Sequence, residues 1–207
     1  FQSRSNSDLL GKMGNFVHRT LVFLQLNCSG RIPTQDVLLD QDTKFLQQIQ
    51  SLEQEISSCF ESYRLRRACQ CIMEVCQASN VYFDQNKPWI LAKEETQRKR
   101  METVLSLCLR AVVKISTLIE PILPNTSEAM MKFLGIQEIL KTASWSERLS
   151  YTLEPGISLL MPTPLFKKVE DTMISQEEEK LQKVLSPQIP EQLSVTTVPY
   201  SDFIKLK

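Results

Sequence analysis

Apolar positions along this chain recur at helical rather than strand spacing. Leu9, Leu10, Met13, Phe16, Val17, Leu21 and Leu24 fall at the intervals that bring side chains onto one helix face. They predict a first helix from about Asn6 to about Leu26, capped by Ser5 or Ser7 and stopped by Gly30 and Pro33. Phe45, Ile49, Leu52, Ile56, Cys59 and Phe60 carry the period through a second helix, from about Gln41 to Ser58 or beyond, with Asp40 or Asp42 as cap. A third, from about Ser62 to Phe83, turns Leu65, Ala68, Cys69, Ile72, Val75, Cys76 and Ser79 inward. Arg64, Arg66 and Arg67 crowd its first turns, where the helix dipole disfavours cations, so they serve a partner or are simply solvated. Pro88 excludes Lys87 from helical geometry and predicts a loop through Asn86, Lys87, Pro88 and Trp89. A fourth helix, from about Thr96 to Leu118, is lined by Met101, Val104, Leu105, Cys108, Val112, Ile115 and Ile119 and ends at Pro121 and Pro124. Asn125 and Glu128 predict a reciprocal cap on a fifth, closed by Gly135.

The pattern then changes. From Trp145 to Phe166 the chain is apolar and broken by prolines, which predicts an extended strap. Ser175 and Glu178 predict the cap of a short helix over Gln176 to Leu185, followed by a Pro187/Pro190 linker and a stretch from Val195 to Val198. The expected fold is all-α: an antiparallel helix bundle over 1–144, a C-terminal strap and short helix packed on it over 145–185, and a linker over 186–207. With 207 residues and only 5 Gly, the chain is long enough for a real core and poor in the turns of a β-sandwich.

Charge narrows the function. Lys+Arg and Asp+Glu are both 24, which argues against a nonspecific nucleic-acid binder held by counterion release. It leaves room for a site that reads a few unstacked bases. No apolar run approaches the roughly 20 residues of a membrane helix, so no membrane partner is expected. The chain opens Phe1-Gln2-Ser3-Arg4, with no initiator Met and no signal-peptide pattern, and reads as a piece of a longer chain. The 6 cysteines read as reduced, with Cys69, Cys71, Cys76 and Cys108 inside apolar-periodic stretches as small hydrophobes, which points to the cytosol. Cys69, Cys71 and Cys76 invite a metal reading, but zinc needs four ligands and His18 is the one histidine. Catalysis has little to build on: apart from His18 there is no base for a nucleophile, and no glycine loop cradles a phosphate. Glu177, Glu178 and Glu179 sit where acids stabilise a helix dipole.

Recognition has more. Gly11, Asn15 and Arg19 follow at four-residue steps and line up on the first helix. Asn presents a donor and an acceptor, Arg a planar fork and a stacking face. Such a face reads bases or is solvated surface. Pro88-Trp89 is either a rigid stacking platform, worth about 1–3 kcal/mol per base, or a plug in the end of the bundle.

Several motifs carry a family resemblance. Asn6-Ser7-Asp8-Leu9 followed by Gly14-Asn15-Phe16-Val17-His18-Arg19, the stretch Tyr63 to Ala68, Asn80-Val81-Tyr82-Phe83-Asp84 with Pro88-Trp89, Pro121-Ile122-Leu123-Pro124 with Ser127-Glu128, and Pro162-x-Pro164-Leu165-Phe166 resemble the anticodon-binding bundle of methionyl-tRNA synthetases. The likeness spans about Asn6 to Leu181. It implies that Asn15 and Arg19 hydrogen-bond anticodon bases of methionine tRNA, that Trp89 stacks on the first-position cytidine, that Pro88 shapes the stack and that Asp84 anchors the loop. His18 departs from the Asn or Ser common in that family and receives no role. The family's adenylate-binding signatures and zinc-bearing insertion are missing here. The resemblance therefore implies tRNA binding without aminoacylation and no cofactor in this piece, the parent using ATP and methionine. It also implies a catalytic half of the same parent chain as partner to the strap. Val198 to Leu206 resembles the opening of an OB-fold tRNA-binding module, which would follow in the parent or link it to a synthetase complex. Two other readings stand beside this one: a helical protein-interaction scaffold, and the anticodon bundle of another class I synthetase.

Overall fold

The computed structural model describes residues 1–185, divided between a unit from Phe1 to Lys168 and a second that begins at Val169. The linker and the OB-like stretch lie outside the described residues.

The first unit opens on one unbroken helical rod: α1 (Gln2–Arg4), a π-helical stretch (Ser5–Gly14) and α2 (Asn15–Asn27). It starts earlier than the periodicity indicates, and neither Ser5 nor Ser7 caps it, because both lie inside the rod. Met13, Phe16, Val17, Leu21 and Leu24 are buried as the stripe requires. Gly30, at φ +65°, ends the run with its N–H on the Leu24 carbonyl at 3.2 Å.

Helices α3 (Asp40–Glu61) and α4 (Leu65–Asn86) form a long hairpin joined through Tyr63, whose φ is +56°. Asp42 completes the start of α3 from its third position, accepting the Leu39 N–H at 2.9 Å. Arg67 reaches Glu55 across the hairpin at 2.7 Å and Glu74, two turns along its own helix, at 2.8 Å, and Arg64 donates to Ser62, so two of the three crowded cations have partners here. After α5 (Pro88–Leu91), helix α6 (Arg98–Ile119) runs through the centre. It is buried on nearly every side, from Met101 to Ile119, rather than along the single stripe the pattern suggests.

Helix α7 (Pro124–Phe133) begins with Pro124 in its first turn and has no side-chain cap; Glu128 instead accepts from Gln137 Nε2 at 2.7 Å. Gly135, at φ +70°, closes it, and α8 (Gln137–Leu140) follows. The predicted strap begins as a helix, α9 (Trp145–Ser150), because Ser144 and Glu147 form a reciprocal cap. Trp145 meets Phe60 edge-on and donates Nε1–H to Ser57 at 3.1 Å. Beyond Tyr151 the chain is extended. It is pinned by Gly156 N–H to Ile32 O at 2.8 Å, Ile32 N–H to Ile157 O at 2.9 Å and Leu159 N–H to Gly30 O at 2.7 Å. Leu159 is buried and Phe166 packs against Gly14, while Ile157, Leu160 and Met161 stay exposed.

The second unit contains α10 (Asp171–Leu185), which starts ahead of the expected Ser175. Ser175 is inside this helix, its Oγ donating to Asp171 O at 3.2 Å, so it caps nothing. All six cysteines are free thiols. Among the described residues no cluster of His, Cys, Asp and Glu is arranged to hold a metal, and no helix is long and apolar enough to cross a membrane.

Candidate nucleic-acid interface

The end of α4 builds the site. Asn86 is its last residue, and Lys87 turns left-handed at φ +45°. Pro88 then starts α5 with its ring buried, so the segment expected to be a loop is one left-handed residue followed by a short helix. Proline's fixed φ and missing N–H suit that first helical position. This reversal carries Trp89 back against α4, where its ring centroid lies 6.0 Å from that of Phe83 at a tilt of 38°. Phe83 is itself buried and packs edge-on against Phe23 at 6.2 Å. Trp89 is 38% exposed: one part rests on the bundle and the rest faces solvent, so it does not plug the bundle's end.

Helix α2 brings Arg19 to the same place. Its guanidinium sits 4.7 Å from the Phe83 ring centroid and 5.9 Å from that of Trp89, and Nη2 donates to Asp84 Oδ1 at 2.7 Å. Both partners of that ion pair are partly solvated, which limits it to roughly 0.2–1 kcal/mol. The ring contacts add about 0.5–1 kcal/mol. Arg19 is thus oriented but held weakly enough to be redirected. Asn15 lies one turn before it, exposed and with no side-chain hydrogen bond among the described residues. Gly11 lies a further turn back, in the π-helical stretch, so it follows a wider helical phase than the α-helical spacing assumed. A side chain there would meet only the Asn6 carbonyl, at 3.2 Å. His18 is exposed on the same helix.

Other residues hold these in place without having been given a site role from the sequence. Asn80 donates from Nδ2 to Lys12 O at 3.0 Å, tying α4 to the rod below Asn15. Its place four residues before Asp84 was the available signal. Deeper in, Asp42 is fully buried. It accepts from Arg100 at 2.5 and 2.8 Å and from the Tyr82 hydroxyl at 2.6 Å. Arg100 also donates to Asn86 Oδ1 at 2.6 Å. Burial pushes the Asp42 pKa up, but hydrogen bonds from Arg100, Tyr82 and the Leu39 N–H outweigh it, and the carboxyl titrates below its ordinary range. Burial and then the Asp42 carboxylate raise the Tyr82 hydroxyl, so it stays a donor. Nothing in the sequence marks Asp42 as more than a cap, or Arg100 as more than one charge in a polar run.

The result is an aromatic surface flanked by a cation, a carboxylate and a free amide, on an otherwise all-helical bundle. This arrangement can stack a planar ring and offer hydrogen bonds at its edge; it has no nucleophile–base pair.

Comparison with known proteins gives the arrangement a family. Residues 32–185 match the model described as the anticodon binding domain of methionyl tRNA ligase, and the chain belongs to that family. The match begins after α2, so Asn15 and Arg19 lie outside it. The chain is 39% identical over 184 residues to the methionine–tRNA ligase of Protochlamydia amoebophila, covering 89% of this chain and 26% of that protein. It is 33% identical over 171 residues to the corresponding ligase of Thermococcus kodakarensis, covering 83% of this chain and 22% of that one. The fold is similar to the apo form of Mycobacterium tuberculosis methionyl-tRNA synthetase, with a TM-score of 0.76 and 26% identity over 81% of this chain and 34% of that one. The chain thus spans about a quarter of the length of these curated relatives.

Proposed function

We propose that this chain binds the anticodon loop of methionine tRNA, with the first anticodon base, a cytidine, stacked on Trp89. Arg19 and Asn15 hydrogen-bond base edges, Pro88 fixes the stacking ring and Asp84 anchors the loop. The observation that carries the reading is the convergence of the Arg19 guanidinium, the Phe83 ring and the half-exposed Trp89 ring within 6 Å of one another. Single-stranded loops are read by splayed bases on aromatics and by hydrogen bonds to base edges. Family membership supports methionine tRNA over other class I substrates. The parent enzyme attaches methionine using ATP in a catalytic half outside this sequence, and this piece supplies tRNA binding alone. Exposed Ile157, Leu160 and Met161 on the strap are the surface offered to that catalytic half. The free thiols fit a reducing compartment, the cytosol.

Trp145→Phe leaves Trp89 as the one fluorescent indole. Titration with an anticodon stem-loop carrying cytidine first should quench it. Hairpins with uridine or adenosine there should quench less, and Arg19→Ala should abolish the difference. Equal response to all hairpins overturns the cytidine reading; no response to any at low salt overturns RNA binding by this piece and favours the protein-interaction scaffold.

A further inference from the structure

We propose that Asn86 is a positioning residue for Trp89, and that the pair of buried Asp42 with half-buried Arg100 beneath it serves this geometry more than stability. The inference rests on the anticodon reading for its functional consequence but not for its geometry. Asn86 Oδ1 accepts from Arg100 at 2.6 Å and from Gln41 Nε2 at 2.9 Å, while its Nδ2 donates to Tyr82 O at 2.9 Å. Three helices are therefore gripped at the final residue of α4: α3 through Gln41 and Asp42, α4 itself, and α6 through Arg100.

The backbone after Asn86 has little freedom of its own. Lys87 sits in the left-handed well, Pro88 has its φ fixed by the ring, and the Ile90 N–H closes on Lys87 O at 2.8 Å. The direction in which α4 ends thus sets the position of Trp89. Trp89 cannot set it by packing, since it is 38% exposed and leans on Phe83 from one side. A buried ion pair is a poor source of net stability beside apolar residues of equal size, because desolvation offsets the attraction. It is a good source of a single geometry, since planar guanidinium and carboxylate bind in one orientation. A stacking surface needs that, because a ligand met by a preorganised ring pays no ordering cost.

The test uses the whole chain in the Trp145→Phe background, with Asn86→Ala and Gln41→Ala. Neither change removes a group bonded to Asp42, whose partners are Arg100, the Tyr82 hydroxyl and the Leu39 N–H. Without RNA, Asn86→Ala should red-shift Trp89 emission and increase its quenching by acrylamide, with helical CD and the urea midpoint close to the parent's. Its Kd for the cytidine hairpin should rise about tenfold. Gln41→Ala, which removes one of the two bonds to Asn86 Oδ1, should move the same readouts in the same direction by less, and it decides the matter if Asn86→Ala loses helicity. Unchanged Trp89 emission and quenching in both variants overturn the proposal. So does a loss of affinity that follows the urea midpoint while the Trp89 signal stays fixed. If the parent itself binds no hairpin, the anticodon reading fails, and the RNA-free Trp89 signals still decide the positioning role.

Discussion

Arg100→Ala should be among the most damaging single changes in this bundle. Asp42 has no exposure to water, and Arg100 supplies its only positive partner among the described residues, through two short bonds. Removing one member of a buried pair leaves an uncompensated charge and costs about 3–5 kcal/mol. The Tyr82 hydroxyl and the Leu39 N–H remain on the carboxylate, which places the cost toward the lower end. With a urea dependence of about 2 kcal/mol per molar, the midpoint should fall by roughly 1.5–2 M. In the parent, the lowered Asp42 pKa means stability that is present above the unfolded value near 3.9 and lost as pH falls through the folded value. In Arg100→Ala the sign reverses. Burial loses its main opponent, the folded state takes up a proton more readily than the unfolded one, and the deficit should shrink as pH falls. Helical CD followed in urea at pH 7.5 and pH 5 measures both effects. A triple replacement, Asp42→Leu with Tyr82→Phe and Arg100→Met, should recover most of the lost stability, since no charge is stranded. A deficit for Arg100→Ala under about 1 kcal/mol at pH 7.5, or one that grows toward pH 5, is incompatible with a stranded carboxylate at Asp42.

Asn15→Ala should leave the urea midpoint unchanged, because the amide is exposed and bonded to nothing described, yet weaken the cytidine hairpin by about tenfold if it holds a base edge; hairpin titration beside a melt separates the two. Gly14→Ala should loosen the strap, since a Cβ there would lie 3.0 Å from the Phe166 ring and 3.3 Å from Leu9 O. A cost of about 1–3 kcal/mol and faster protease cutting between Tyr151 and Lys168 are the expected results. Gly30→Ala combines a left-handed φ of +65° with a Cβ placed 2.3 Å from Gln25 Oε1. It should destabilise the bundle by at least about 1 kcal/mol and break the bond from Gln25 to Leu159 O. Cys76 is pushed up to about 12 by burial, and burial likewise raises Cys108, so neither should react with a thiol reagent at pH 8 until urea unfolds the chain.

Helix existence was legible in the chain because burial of a helical face imposes a period on the residues themselves. Leu9 through Leu24, Phe45 through Phe60 and Met101 through Ile119 each found their helix. Capping was less legible. Ser5, Asn125 and Ser175 all suit a cap by chemistry, yet each falls inside a helix or beside a proline that starts one, since a cap is chosen by where packing lets the chain turn. Motif resemblance brought Asn15, Arg19, Asp84, Pro88 and Trp89 forward as a set. The structure places the last four around one point by running α2 alongside the end of α4. No spacing could announce the floor and the frame of the site. Phe83 looks like any core aromatic, Asp42 like a helix cap and Arg100 like solvated charge. Asp42 and Arg100 meet only because α3, α4 and α6 converge at Asn86, and a contact between residues 58 apart is written in no local pattern. Sequence determines which faces must be buried, because hydrophobicity belongs to each residue; tertiary structure decides which polar groups meet, because hydrogen bonds and ion pairs act only over a few ångströms of real space.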